Sequence, residues 1–210
     1  NVFAIESFMD ELAYAAGVDP VAFRLAHQDD SRAQDVIRAA ASGAGWGDPV
    51  GDRQGLGMGF AQYKNEKAYV GVVADVSVDL ESGVIVLNKM TIAGDVGQVI
   101  NPDGVKSQLE GGVIQAASWT LKEEVTFDRN RITSLDWETY PVLGFDEIPE
   151  VETLLMDRSG VPSLGCCEAT QGPTPAAIAN AVFAAVGLRL RQIPFRPDRV
   201  RAAVEANRNI

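Results

Sequence analysis

Near Gly55 the hydrophobic period of this chain changes, and that switch limits the folds open to it. Before it, apolar residues recur every three or four positions, the period of a helix; after it they alternate, the period of a strand. Ile5, Phe8, Met9, Leu12, Ala13 and Ala16 form a first helical stripe, stopped by Gly17. Asp19-Pro20 reads as an N-cap with proline at the first helical position, launching a helix over Val21 to Ala26. Ser31 is placed to cap a third helix reaching Ala41, ended by the glycine-rich stretch Gly43 to Gly47. Strands are expected over Gly57 to Gln62, Ala68 to Asp79 and Val84 to Ala93, the last two joined as a hairpin at Glu81-Ser82-Gly83. A helix then starts at Asn101-Pro102, with strands near Glu123 to Phe127, Arg131 to Thr133 and Val151 to Met156. A loop from Ser159 to Pro173 leads into a helix from Thr174 to about Val186. Grouped elements, in place of strict alternation, predict an α+β fold with mixed sheets and flanking helices. The expected division is a helical segment over residues 1–50 and an α+β domain over residues 51–210.

Composition narrows the function. With 46% apolar and 22% charged residues the chain has ordinary globular proportions. Acidic residues number 29 against 18 basic, a net charge of −11, which repels phosphate backbones and argues against nucleic-acid binding. No apolar run approaches the ~18–20 residues of a membrane span. The two cysteines, adjacent at Cys166 and Cys167, make neither a disulfide framework nor a zinc site. The one histidine, His27, reads as a surface residue at a helix end and gives a Ser-His-Asp triad little to draw on. Any metal would have to arrive inside an organic cofactor. The chain opens at Asn1-Val2-Phe3 inside a helical pattern, without an initiator Met or a signal-peptide core, which predicts a piece of a longer chain. Its compartment, cytoplasm or periplasm, is not set.

Two elements stand out. The helix over residues 101–121 has an apolar stripe of Val105, Leu109, Val113, Ala116 and Thr120 and a second face of Gly104, Gln108, Gly111 and Gln115. Gly111 and Gly112 each cost about 1 kcal/mol relative to Ala in mid-helix. That cost is tolerated where something approaches the backbone closely, either a ligand met by the flanking amides or another protein element in tight packing. The turn Gly94 to Gln98 is weak as a phosphate loop, lacking the Lys-Ser/Thr of a P-loop. The second element is Gly165-Cys166-Cys167-Glu168, in a loop ending at a Pro-containing helix start. Backbone N–H groups there can face a ligand, and a partly buried Glu168 would act as a proton acceptor. The alternative is that Glu168 merely sits near the positive end of the next helix. Glu6, Asp10 and Glu11 read as a solvated helix face, and Glu123-Glu124 and Asp146-Glu147 as strand-edge or loop charges. Tyr63-Lys64-Asn65 reads as a surface turn, with ligand contact the lesser alternative.

These elements, with ordered blocks along nearly the whole chain, resemble the C-terminal part of the molybdopterin-binding large subunit of the xanthine dehydrogenase/aldehyde oxidoreductase family, in the branch of isoquinoline 1-oxidoreductase and nicotinate dehydrogenase. The blocks are NVFAIESFMDELA from Asn1, GVDPVAFRL from Gly17, QYKNEKAYVGVVADVSVD from Gln62, NPDGVKSQLEGGVIQAASWTLKEE from Asn101, LGCCEATQGPTPAAIANAV from Leu164 and the closing Pro194-Phe195-Arg196-Pro197. The resemblance implies a molybdenum ion held by a pyranopterin, often extended as a cytosine dinucleotide. It implies hydroxylation of an N-heterocycle or aldehyde with water as the oxygen source. By the same resemblance Glu168 is the catalytic base, and Gly165, Cys166 and Cys167 present backbone to the metal site. Gln108, Gly111 and Gly112 match the cofactor-contacting segment, and the chain itself supplies no metal ligand. Electrons leave through iron–sulfur clusters, or haem in some members, on partner subunits. The implied partners are the N-terminal half of the molybdopterin-binding subunit, a 2Fe–2S electron-transfer subunit and the small-molecule substrate. Where the family's loop carries Gly, this chain has Cys167, whose Cβ is expected to restrict a positive φ or crowd the pterin or substrate. The family's earlier glycine-rich cofactor loop is also missing, so the chain alone holds part of a site and is expected to be inactive by itself. A second reading stays open: a non-catalytic fragment or assembly domain of the same fold without bound cofactor.

Overall fold

The computed structural model describes residues 1–208. Three helices, α1 (Val2–Ala16), α2 (Pro20–Ala26) and α3 (Ser31–Gly43), precede the strands β1 (Gln54–Gln62), β2 (Tyr69–Val78) and β3 (Ile85–Asp95). After them come α4 (Pro102–Leu121), β4 (Glu150–Met156), α5 (Thr174–Val186) and α6 (Pro197–Arg208). The strands form one mixed sheet in the order β1-β2-β3-β4. β1, β2 and β3 pair antiparallel, and β4 lies parallel to β3 across the connection that contains α4. The fold is α+β.

Parity along β2 explains why both faces of the sheet are covered. Val70, Val72, Ala74, Val76 and Val78 point into a large core shared with α4, α5 and α6. Tyr69 and Val73 point the other way, into a smaller core with Val36, Ile37 and Ala40 of α3. β1 divides the same way but without side chains on one face. Leu56, Met58 and Phe60 join the smaller core, while Gly55, Gly57 and Gly59 face α5. A Cβ on Gly57 would lie 2.0 Å from the backbone nitrogen of Ala181, and one on Gly59 would lie 2.3 Å from the Pro173 carbonyl oxygen. α5 answers with alanine: Ala176, Ala177 and Ala181 are fully buried against the strand. Helix backbone and strand backbone are therefore in direct contact.

Several expectations are corrected. The third helix is capped by Asp30, not Ser31; the Asp30 carboxylate accepts from the N–H groups of Arg32 and Ala33. The strands expected over 123–127 and 131–133 reduce to a single bridge between Phe127 and Ile132, outside the four-stranded sheet. α6 lies outside the expected elements; its apolar stripe is short, and it docks through Val200 and Val204, one turn apart, with Ala203 beside them. Glu6 and Asp10, read as solvated, are buried. Glu6 accepts from Arg24 Nε and from the Phe60 N–H, both at 2.9 Å, and Asp10 pairs with Arg189 at 2.7 Å. Arg24 also donates to the Glu6 and Met58 carbonyls, and Asn180 of α5 donates to the same two oxygens. Burial pushes the Asp10 carboxyl up, against the pull of Arg189 and Arg24. Among the described residues no helix is long and apolar enough to cross a membrane.

A second buried charge sits at the end of β3. The Asp95 side chain is fully buried and accepts from Arg32, from Arg158 and from the Gly97 N–H. Burial pushes its carboxyl up, but the hydrogen bonds from Arg32, Gly97 and Arg158 outweigh that and hold it below the usual carboxylate range.

Two outcomes test this account. Gly57→Ala should lower stability to denaturant by about 3 kcal/mol or more, because backbone, not a movable side chain, meets the added methyl; an unchanged midpoint would show that α5 can lift off β1. Asp95→Asn should cost about 3 kcal/mol near neutral pH by leaving two arginines short of their partner. A carboxyl held low in the folded state stabilises above its unfolded pKa and loses that contribution as acid protonates it. The gap between Asp95→Asn and the parent should therefore close below about pH 4 in urea titrations at stepped pH.

Candidate functional site

The loop expected to carry chemistry is held from both sides. Upstream, residues 158–164 run beside the turn that ends β3. Gln98 N–H donates to the Val161 carbonyl at 3.0 Å, Leu164 N–H to the Val96 carbonyl at 2.8 Å, and the Ser163 hydroxyl to the Gln98 carbonyl at 2.6 Å. Gly97 makes this approach possible at φ 69, since a Cβ there would lie 2.1 Å from the Pro162 carbonyl oxygen. The Gly94–Gln98 turn is thus a structural latch, anchored by Asp95. Downstream, successive turns over residues 167–173 run straight into α5.

Between these anchors the loop packs on α4. Thr170 Oγ1 donates to the Leu109 carbonyl at 3.0 Å, and Gln171 Nε2 donates to Gln115 Oε1. The two mid-helix glycines of α4 consequently have different roles. Gly112 is buried, and a Cβ on it would lie 2.3 Å from Thr170 Oγ1, so the element that approaches it is the protein's own loop. It does not face outward as expected for a cofactor contact. Gly111 is exposed, and a Cβ there would meet nothing within 4 Å. Gln108, Gly111 and Gln115 share this open face with Trp119, which sequence reasoning did not single out.

Gly165 is also exposed with open space over its α-carbon. Cys166 is buried, and desolvation pushes its thiol up; Cys167 is exposed. The positive φ expected at position 167 is one residue later: Glu168 itself is left-handed at φ 66, and Cys167 is not. Cysteine is therefore accommodated without backbone strain of its own. Glu168 is exposed, so the partial burial expected for it is not found. Its Oε2 accepts from the Tyr63 hydroxyl at 2.9 Å, and its other oxygen has no partner among the described residues. Tyr63, read as part of a surface turn, is thus a direct neighbour of Glu168. A cleft of about 410 Å³ is lined by Tyr63, Lys64, Asn65, Trp119, Glu168 and Gln171, together with residues of α1 and β1. A larger apolar groove of about 480 Å³ lies between the start of β3, the end of α4 and Phe195 and includes none of the expected site residues.

The donor set bears on what this face can hold. Among the described residues no group of three or more His, Cys, Asp or Glu is placed to bind a metal ion. The bare α-carbons of Gly111 and Gly165 leave room for a flat organic group, and the exposed amide of Gln108 can hydrogen-bond one.

Comparison with known proteins gives the same class of ligand. A family model described as the molybdopterin cofactor-binding domain matches residues 10–149. A nicotinate dehydrogenase chain of Pseudomonas putida is 41% identical over 219 aligned positions, covering 97% of this chain and 18% of that protein. The beta chain of isoquinoline 1-oxidoreductase from Brevundimonas diminuta is 34% identical, covering 93% of this chain and 25% of that protein. The chain therefore spans about a quarter or less of the length of these relatives. The aldehyde oxidoreductase of Desulfovibrio gigas superposes with a TM-score of 0.77 over 97% of this chain and 40% of its own; at 16% identity that likeness shows the fold alone. By the family model, which matches well over half of its length, the chain belongs to the molybdopterin cofactor-binding domain family.

Proposed function

We propose that this chain forms one wall of a molybdopterin site, in an oxidoreductase that hydroxylates an N-heterocycle or aldehyde with water as the oxygen source, and that Glu168 is its proton acceptor. The observation that carries the reading is the placement of an exposed, left-handed Glu168 on a loop packed against α4, beside the helix face that Gly111 leaves open. When bound, molybdopterin supplies a molybdenum centre able to take up the two electrons released by the carbon being hydroxylated. The chain's own residues do the rest of what is assigned to them. Gln108 and the backbone at Gly111 and Gly165 hold the organic part of the cofactor. Glu168 takes a proton at the carboxylate oxygen that Tyr63 leaves free, which is open to a group bound in the cleft. Cys167, exposed next to Glu168, borders the substrate side.

The remaining wall of the site, the cytosine dinucleotide form of the cofactor and the electron-transfer groups belong to the proposal as well. We assign them to the N-terminal half of the molybdopterin-binding subunit and to a 2Fe–2S partner. What favours the catalytic reading over a non-catalytic assembly role is the left-handed backbone of Glu168 at φ 66, a conformation that non-glycine residues keep mostly at functional sites, in a loop that borders a cleft.

In the assembled enzyme, Glu168→Gln should lower turnover of nicotinate or isoquinoline by at least about 100-fold while molybdenum content stays that of the parent; turnover within a few-fold of the parent would remove Glu168 as the base. Gly111→Ala separates stability from function. The added methyl meets no atom, so helix propensity should raise the chain's stability by up to about 1 kcal/mol, whereas molybdenum per chain should fall. A variant that is stabilised and keeps its molybdenum would show that the cofactor lies elsewhere.

A further inference from the structure

We infer that Tyr63 is a positioning residue for Glu168, fixing one carboxylate oxygen so that the other is presented to the cleft; the inference rests on Glu168 being the proton acceptor. The phenol hydroxyl donates to Glu168 Oε2 at 2.9 Å, across 105 residues of sequence. Among the described residues no other side chain donates to that carboxylate. The Tyr63 ring is partly buried against the main core, and the Lys64 ammonium lies 5.1 Å from the ring centre. A packed ring with a polar tip at the surface is a fixed donor, unlike a lysine or glutamine on the same turn.

The two ends of this hydrogen bond are also joined through the backbone. Tyr63 N–H donates to the Ala68 carbonyl at 2.8 Å, and Ala68 N–H donates to the Gly165 carbonyl at 3.2 Å. The turn that carries Tyr63 and the loop that carries Glu168 are therefore tied together by main-chain hydrogen bonds as well. Both are strained. Among the described non-glycine residues, four have a positive φ, and three of them line this cleft: Lys64 at 52°, Asn65 at 59° and Glu168 at 66°. Glycine would relieve such positions, and side chains persist in them where the surroundings over-determine the conformation. A glutamate on an exposed loop otherwise samples several rotamers, and holding one oxygen leaves the other in a defined place for proton transfer.

Tyr63→Phe keeps the packed ring and removes only the hydroxyl. In this chain labelled with ¹³C at the glutamate carboxyls, the Glu168 resonance can be assigned by its loss in Glu168→Gln. It should move in Tyr63→Phe while the other carboxyl resonances and the thermal midpoint stay in place. In the molybdenum-loaded assembled enzyme, the same variant should lower kcat about tenfold, with KM for nicotinate or isoquinoline and molybdenum content unchanged. An unmoved Glu168 resonance would overturn the hydrogen bond. A moved resonance with the kcat of the parent would overturn the positioning role while leaving Glu168 as the base. A fully active Glu168→Gln enzyme would instead remove the base, and the positioning role with it.

Discussion

The contact between the backbone of α5 and the backbone of β1 is the constraint on which the candidate site depends. Gly55, Gly57 and Gly59 leave one face of the strand bare, and the alanines of α5 lie on it with main-chain atoms where a Cβ would be. A helix seated that closely has little freedom to slide, because any shift drives carbonyl oxygens and amide nitrogens into the strand. The turns carrying Glu168 continue directly into α5. The position of a surface carboxylate is thus set by a buried packing contact that contains no functional group.

Buried charge completes the frame at two further points. Arg24, Glu6, Asp10, Asn180 and Arg189 link α1, α2, β1 and α5 through side chain–carbonyl and ion-pair contacts. Asp95, with Arg32 and Arg158, fastens α3 and the end of β3 to the segment that leads into the Glu168 loop. Such pairs contribute little net stability over apolar packing of the same volume, but each is costly to leave half-made. Their effect is to specify one arrangement of the elements around the loop. The loop itself can then remain exposed, strained and only partly hydrogen-bonded, as a site that must admit a cofactor and a substrate requires.

Much of the fold was legible in the sequence, because periodicity and caps are local. α1, α2, α4 and α5 and the β2–β3 hairpin follow from apolar spacing, from Asp19-Pro20 and Asn101-Pro102 as starts, and from Gly17 as a left-handed stop. What was illegible depends on partners far away in the chain. Glu6 looks solvated until Arg24 and the Phe60 N–H are brought to it. Helical spacing puts Gly111 and Gly112 side by side, and only the arrival of Thr170 decides that one is a packing contact and the other an open surface. The strand at Gly57 to Gln62 was legible, but the reason for its bare face of Gly55, Gly57 and Gly59 was not, since the partner is a helix more than a hundred residues later. At the site, the order Gly165-Cys166-Cys167-Glu168 and its resemblance to a known loop pointed to the carboxylate. The pairing with Tyr63 had no local signal beyond an aromatic residue in a turn.

The central claim is that the open face of α4 and the Glu168 loop together form a wall of a molybdopterin site. Molybdenum per chain, measured on material purified from the native host with the co-purifying polypeptides identified by intact mass, tests it most directly. The account predicts near-stoichiometric molybdenum in a complex that also contains a glycine-rich polypeptide or segment completing the site. A correctly folded chain isolated from that host without molybdenum and without such a partner would contradict it.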